Sequence, residues 1–245
     1  MPDGQALARA IHEFAGRIMK RRHLLLLSTI VSVATLAVAP PARAQRAYDR
    51  FITAIIRDDV STILELQLRG LDINTPDPDL NPPLVLALQR DALKVARHLA
   101  EQWDLNVEAT NPAGENALMI AALRGHEDIV RALLRRGAQV NRPGWTPLHY
   151  AASGKTEAAL PITRLLLDHH AYLDAESPNG TTPLMMAALY GRSEVVDLLL
   201  AEGADATVRN QQGLDALDFA RRSGREHVVQ RLAAALRASR PKGSW

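Results

Sequence analysis

Eight histidines, the stretch Ser153-Gly154-Lys155-Thr156 and several adjacent acidic pairs are the residues of this chain that could do chemistry. Spacing decides against each. A helical zinc site needs two histidines four apart around a glutamate, and no His-Glu-x-x-His occurs. His169-His170, the adjacent pair, follows an apolar run, where a helix end leaves side chains solvated. The Gly-Lys-Thr of residues 154–156 matches the end of a phosphate-binding loop, but that loop needs a glycine where His149 stands. No Gly-x-Ser-x-Gly elbow is present, and a chain without cysteine has no thiol nucleophile. Acidic pairs such as Asp58-Asp59 and Glu127-Asp128 precede apolar runs, where they charge helix N-termini. The sequence therefore predicts no catalytic, cofactor-binding or metal-ligating residue, no cofactor and no enzyme activity.

What positions these residues is a repeat. Trp145-Thr146-Pro147-Leu148-His149-Tyr150-Ala151-Ala152 returns as Thr181-Thr182-Pro183-Leu184-Met185-Met186-Ala187-Ala188. The apolar residue after the Thr-Pro pair recurs at Phe51, Leu84, Leu118, Leu148, Leu184 and Leu217, at spacings of 33, 34, 30, 36 and 33. Small residues follow each marker, then an apolar run such as Ile129-Val130 with Leu133-Leu134, then a break such as Gly137-Ala138. Thr146 or Thr182 can cap a helix whose first residue is the proline, where a missing N–H costs nothing. The paired alanines keep that helix thin. A second helix carries the apolar stripe, and Gly137 or Gly203 supplies the left-handed residue that ends it. His170 holds the same position in the fourth unit, and histidine tolerates that conformation. The fourth unit also has three extra residues between its helices, around Glu157–Pro161, and the turn before it is three residues short, at Asn141–Gly144. A local kink or altered loop is expected there.

These units resemble ankyrin repeats, each a β-turn followed by two antiparallel helices. The resemblance covers about residues 46–238, strongly in the third to sixth copies and weakly in the first two, where Pro82-Pro83-Leu84 replaces Thr-Pro-Leu. It implies an all-α solenoid of about six helix-turn-helix units with short β-turn or hairpin connections, its first unit a polar cap. It also implies that His149 makes structural hydrogen bonds between units. Proteins of this kind bind other proteins through a concave face. Carried onto this sequence, the contact slots before the Thr-Pro pair are Glu115, Trp145, Thr181 and Leu214; those after the Ala-Ala pair include Arg90, Leu123, Arg124, Ser153, Leu189 and Tyr190. Trp145, Leu123, Leu189 and Tyr190 would form an apolar, aromatic stripe flanked by Arg90 and Arg124, residue types enriched in binding hot spots. Alternatively, Trp145 fills the gap left by the shortened turn.

Met19-Lys20-Arg21-Arg22-His23 leads into an apolar run from Leu24 to Val38, followed by Ala42-Arg43-Ala44. A positive segment, an apolar stretch and an Ala-x-Ala site compose a secretory signal peptide, with cleavage expected between Ala44 and Gln45. Translation from Met19 would make residues 1–18 a start-site artefact. Residues 45–238 then form the repeat domain and 239–245 a disordered tail, exported to the periplasm or secreted. An uncleaved leader anchoring the chain in the inner membrane is the alternative. The chain has 29 basic and 27 acidic side chains. Residues 1–44 hold six of the basic and two of the acidic ones, so the rest is slightly acidic. That balance is no footprint for nucleic acid. The expected partner is another protein, of the cell envelope, and the chain itself a monomer without membrane insertion after cleavage.

Overall fold

The computed structural model describes residues 42–238. The expected leader, its apolar run and the tail at 239–245 lie outside the described residues, apart from Ala42–Ala44. Those three residues already belong to the first helix, so the expected cleavage point between Ala44 and Gln45 falls in its first turn.

Among the described residues twelve helices form six pairs. They are α1 (Ala42–Ile56) with α2 (Val60–Leu68), α3 (Pro83–Gln89) with α4 (Leu93–Ala100), and α5 (Ala117–Arg124) with α6 (Glu127–Arg135). Next come α7 (Pro147–Ser153) with α8 (Ala159–Asp168), α9 (Pro183–Leu189) with α10 (Ser193–Ala201), and α11 (Ala216–Arg222) with α12 (Glu226–Ala238). Each first helix packs on its own second helix and on the first helices of adjoining pairs, which makes a two-layer solenoid. Only an isolated antiparallel bridge, Thr110 to Asn116, represents the expected hairpins among the described residues.

The local reasons are those the repeat predicts. Proline opens α3, α7 and α9 at the first helical position. Asn116, Thr182 and Asp215 accept the backbone N–H of Met119, Met185 and Asp218, which satisfies orphan donors at three helix starts. Gly137 and Gly203 take the left-handed conformation at φ 78° and 95°, and His170 shares it at 63°. Ala121-Ala122, Ala151-Ala152 and Ala187-Ala188 are buried where first helices meet. Ile129, Val130, Leu133, Val195, Val196 and Leu199 are buried beneath the second layer. The closeness of neighbouring units is sharpest at Gly191, where an added Cβ would lie 2.0 Å from the Ala152 carbonyl oxygen.

One placement differs from expectation. The extra residues of the fourth unit form the loop Gly154–Ala158, and Pro161 lies inside the first turn of α8 rather than between the helices. Proline is tolerated there because the first turn's N–H groups have no helical acceptor anyway.

Candidate functional site

Several first helices and the shortened turn converge on one groove of about 400 Å³ in the first-helix layer. Leu123 ends α5, Trp145 stands at the close of the short turn, and His149, Tyr150 and Ser153 come from α7. Lys155 projects from the lengthened loop, Met186 from α9, and Tyr190 caps the C-terminus of α9. The two irregularities of the fourth unit thus flank the groove, one contributing Trp145 and the other Lys155.

His149 is the rigid floor. It is fully buried and its Nε2 lies 2.9 Å from the Thr181 carbonyl oxygen. A carbonyl only accepts, so Nε2 carries the proton and Nδ1 is the acceptor, facing the Thr146 N–H at 3.2 Å and the Thr146 hydroxyl at 2.9 Å. One imidazole therefore closes the start of α7 and ties it to the next unit. Burial lowers its pKa to about 4, because a charged ring there would be desolvated. Trp145 meets this ring edge to face, centroids 5.2 Å apart and planes at 76°.

The wall's remaining polar groups are mostly engaged. Tyr150 donates its hydroxyl to Glu115 Oε1 at 2.9 Å; burial, and then that carboxylate, push its pKa up. Asn111 Nδ2 donates to the other oxygen of Glu115 at 2.9 Å. Ser153 Oγ donates to the His149 carbonyl at 2.8 Å. Apart from Lys155, what is left facing the groove is apolar or aromatic, with Leu123 36% and Tyr190 50% exposed.

The ten expected contact residues do not stay together. Leu123, Trp145, Ser153 and Tyr190 meet in the groove. Glu115 stands behind Tyr150, and Arg90 is exposed but not part of the lining. Arg124 is no free flank of the stripe: it pairs with Asp91 at 2.6 Å and donates to the Gln89 carbonyl at 3.2 Å, bridging two units. Thr181 is a correction, only 2% exposed; its carbonyl receives His149 and its N–H donates to Ser177 Oγ at 3.0 Å. Leu189 and Leu214 are half-buried against the C-terminal core and do not line the groove. A slot before or after the motif faces outward only when the neighbouring turn does not fold over it.

Sequence reasoning missed Tyr150, Met186 and Lys155. The first two sit inside the repeat motif, where side chains are read as packing. The signal for Lys155 was the lengthened loop itself. Among the described residues no three His, Cys, Asp or Glu side chains gather as a metal-binding group, and no helix is long and apolar enough to cross a membrane.

Comparison with known proteins agrees with this architecture. The family model for ankyrin repeats, in three copies, matches residues 51–143, 103–175, 139–210 and 159–239. Mouse ankyrin repeat and SOCS box protein 16 is 36% identical over 156 residues, 62% of this chain and 33% of that protein. The tyrosine-protein kinase Shark of Drosophila melanogaster is 33% identical over 161 residues, 64% of this chain but 17% of the kinase. The chain thus spans a third or less of these curated relatives. Among solved structures, an ankyrin repeat domain from Acinetobacter baumannii matches with a TM-score of 0.62 and 25% identity, covering 76% of this chain and 96% of that one. A chain in the Bdellovibrio bacteriovorus complex of the predatory endopeptidase Bd0816 with immunity protein Bd3460 matches with a TM-score of 0.62 and 26% identity, covering 76% and 97%. With the family pattern running from residue 51 to 239, the chain belongs to the ankyrin repeat family.

Proposed function

We propose that this chain is a non-enzymatic interaction module, exported to the cell envelope, that binds a partner protein through the concave face carrying the Trp145 groove. Ankyrin repeats generally mediate protein–protein contact. The observation that carries the reading is the groove: Leu123, Trp145, Tyr150, Met186 and Tyr190 gather apolar and aromatic surface in the one place where the repeat departs from its period. Rigid aromatics on a fixed scaffold supply contact area at little entropic cost. The leader pattern supports export, and a structural neighbour solved in a complex of an endopeptidase with an immunity protein supports another protein as the kind of partner.

Two measurements test this. A photo-crosslinking amino acid at Tyr190 should yield a discrete envelope adduct, while the same probe at Leu68, exposed on the second-helix layer, should not. Equal labelling at both positions would remove the groove from the reading. Fractionation with intact mass should find a soluble periplasmic species beginning at Gln45. Full-length product in the membrane fraction would mean a tethered scaffold instead.

A further inference from the structure

The groove's free polar groups share one character. With Tyr150, Ser153 and His149 engaged, what remains on the wall is the Lys155 ammonium, the Trp145 indole N–H and the Tyr190 hydroxyl. The first two can only donate. Lys155 is exposed at the rim and has no ion pair or hydrogen bond among the described residues. Beside the groove, Arg142 acts electrostatically on the Tyr150 hydroxyl, and its buried Nη1 has no hydrogen-bond acceptor. The carboxylate behind the wall, Glu115, has both oxygens occupied, by Tyr150 and by Asn111. Glu157, two residues beyond Lys155, is exposed and does not line the groove.

Many arginines elsewhere in the described residues are matched. Arg50, Arg97, Arg124, Arg131, Arg135, Arg192, Arg209 and Arg231 each pair with an aspartate or glutamate. Lys155 and Arg142 have no acidic partner, and they stand together beside one apolar groove. Its volume suits one or two side chains, at the low end of the roughly 300–1,000 Å³ of ligand pockets.

We infer that the groove receives a bulky apolar side chain from an acidic segment of the partner protein, whose carboxylates pair with Lys155 while Arg142 adds positive charge from behind the wall. This rests on the reading of the concave face as the binding surface. The apolar side chain supplies burial against Trp145, Tyr150, Met186 and Tyr190; the flanking carboxylates supply orientation and exclude basic or neutral segments. Acceptors on the occupant meet a wall whose free groups can all donate, which favours carboxylates over ammonium groups on closure.

The test uses the full chain and three capped pentapeptides: Ala-Asp-Phe-Asp-Ala, its analogue with lysine for both aspartates, and its analogue with alanine for phenylalanine. Binding is followed by NMR shifts of the Trp145 indole N–H and the Met186 methyl up to millimolar peptide. The acidic phenylalanine peptide should move both signals with a dissociation constant at least about tenfold below either analogue. In Lys155→Glu, an exposed substitution that leaves the core untouched, the order of the acidic and basic peptides should invert; Arg142→Gln should narrow the gap. Equal binding of acidic and basic peptides at these signals would overturn the acidic preference while leaving the groove as a binding surface. Equal binding of the alanine analogue would overturn the apolar anchor. No shift at Trp145 and Met186 with any peptide would sink the inference and the concave-face reading together.

Discussion

At the scale of single residues, His149 shows how a side chain with the chemistry of a catalyst serves structure. Its ring joins the start of α7 to the Thr181 carbonyl of the next unit, fully buried. Only the neutral ring can accept at Nδ1 while donating at Nε2, so protonation breaks the link and places a charge in the core. The folded pKa, near 4, lies below the ordinary value of 6.5. The stabilisation is therefore complete above about pH 6.5 and is lost as the pH falls towards 4, because the unfolded chain takes up the proton first. We expect this one group to remove on the order of 2–3 kcal/mol over that window. Urea denaturation of wild type and His149→Asn at pH 7.5 and 4.5 measures it: the variant starts less stable but has the shallower pH slope. Parallel slopes would mean that His149 does not carry the titration, since His98 and His126, both also lowered by burial, are present in the two proteins.

At the scale of elements, the turns and caps separate what the sequence made legible from what it hid. The helix pairs, the alanine seam and the left-handed breaks at Gly137, Gly203 and His170 were readable, because each follows from local chemistry repeated at a fixed period, whereas the structural role of His149 was available only through the family resemblance. The turn anchors were not. Asp77, Asn111, Ser177 and Asn210 are buried polar residues whose side chains accept backbone N–H groups two or four residues on. The chain then turns through Gly114, Gly180 and Gly213 at positive φ, but through Leu80 at φ 62° in the second unit. A leucine pays about 1–2 kcal/mol to sit there, and glycine's extra freedom when unfolded costs roughly 0.5–1. Leu80→Gly, at a side chain 63% exposed, should therefore stabilise by about 0.5–1 kcal/mol, read as a rise in the urea midpoint. A fall would show that Leu80 makes contacts that outweigh its backbone strain. Asp58 was hidden for another reason: its carboxylate accepts the Val95 N–H at 2.8 Å, capping α4 from the preceding unit, where α4's own N-cap residue is Ala92. No window of local sequence contains that pairing. Asp58→Ala should cost at least about 1 kcal/mol, whereas Asp58→Asn keeps an acceptor and should cost much less. Identical losses in the two variants would dismiss the cap. The site was legible only in part for the same reason, since Leu123, Trp145 and Tyr190 needed only their unit's pattern, while burying Thr181 and engaging Arg124 depended on the neighbour.

At the scale of the whole molecule, the question is how evenly a stack of six units holds together. In a solenoid each unit touches only its neighbours, so stability is a sum of unit and interface contributions. The buried side chains fall into two clusters that meet in the fourth unit: Leu148, Ala151, Ile162 and Leu166 join the N-terminal one, Ala152 and Ala159 the C-terminal one. Ion pairs join α4 to α6 through Arg97–Asp128, and α10 to α12 through Asp197–Arg231. Arg164 of α8 also reaches Glu202, at the end of α10. Among the described residues no ion pair joins α6 to α8. The irregular fourth unit is thus both the edge of the groove and the seam between two halves. Surface pairs contribute little singly, so the divided core is the larger effect. Removing buried side chain from one half should then loosen that half first. Leu199→Ala, in the C-terminal cluster, should cost about 2–5 kcal/mol, and amide hydrogen exchange should show α9–α12 losing protection while α1–α6 keep theirs. Leu133→Ala, in the N-terminal cluster, should give the reverse pattern. If either substitution lowered protection uniformly along the chain, the two clusters would be one cooperative core, and the groove would sit on a continuous wall instead of a seam that its occupant can tighten.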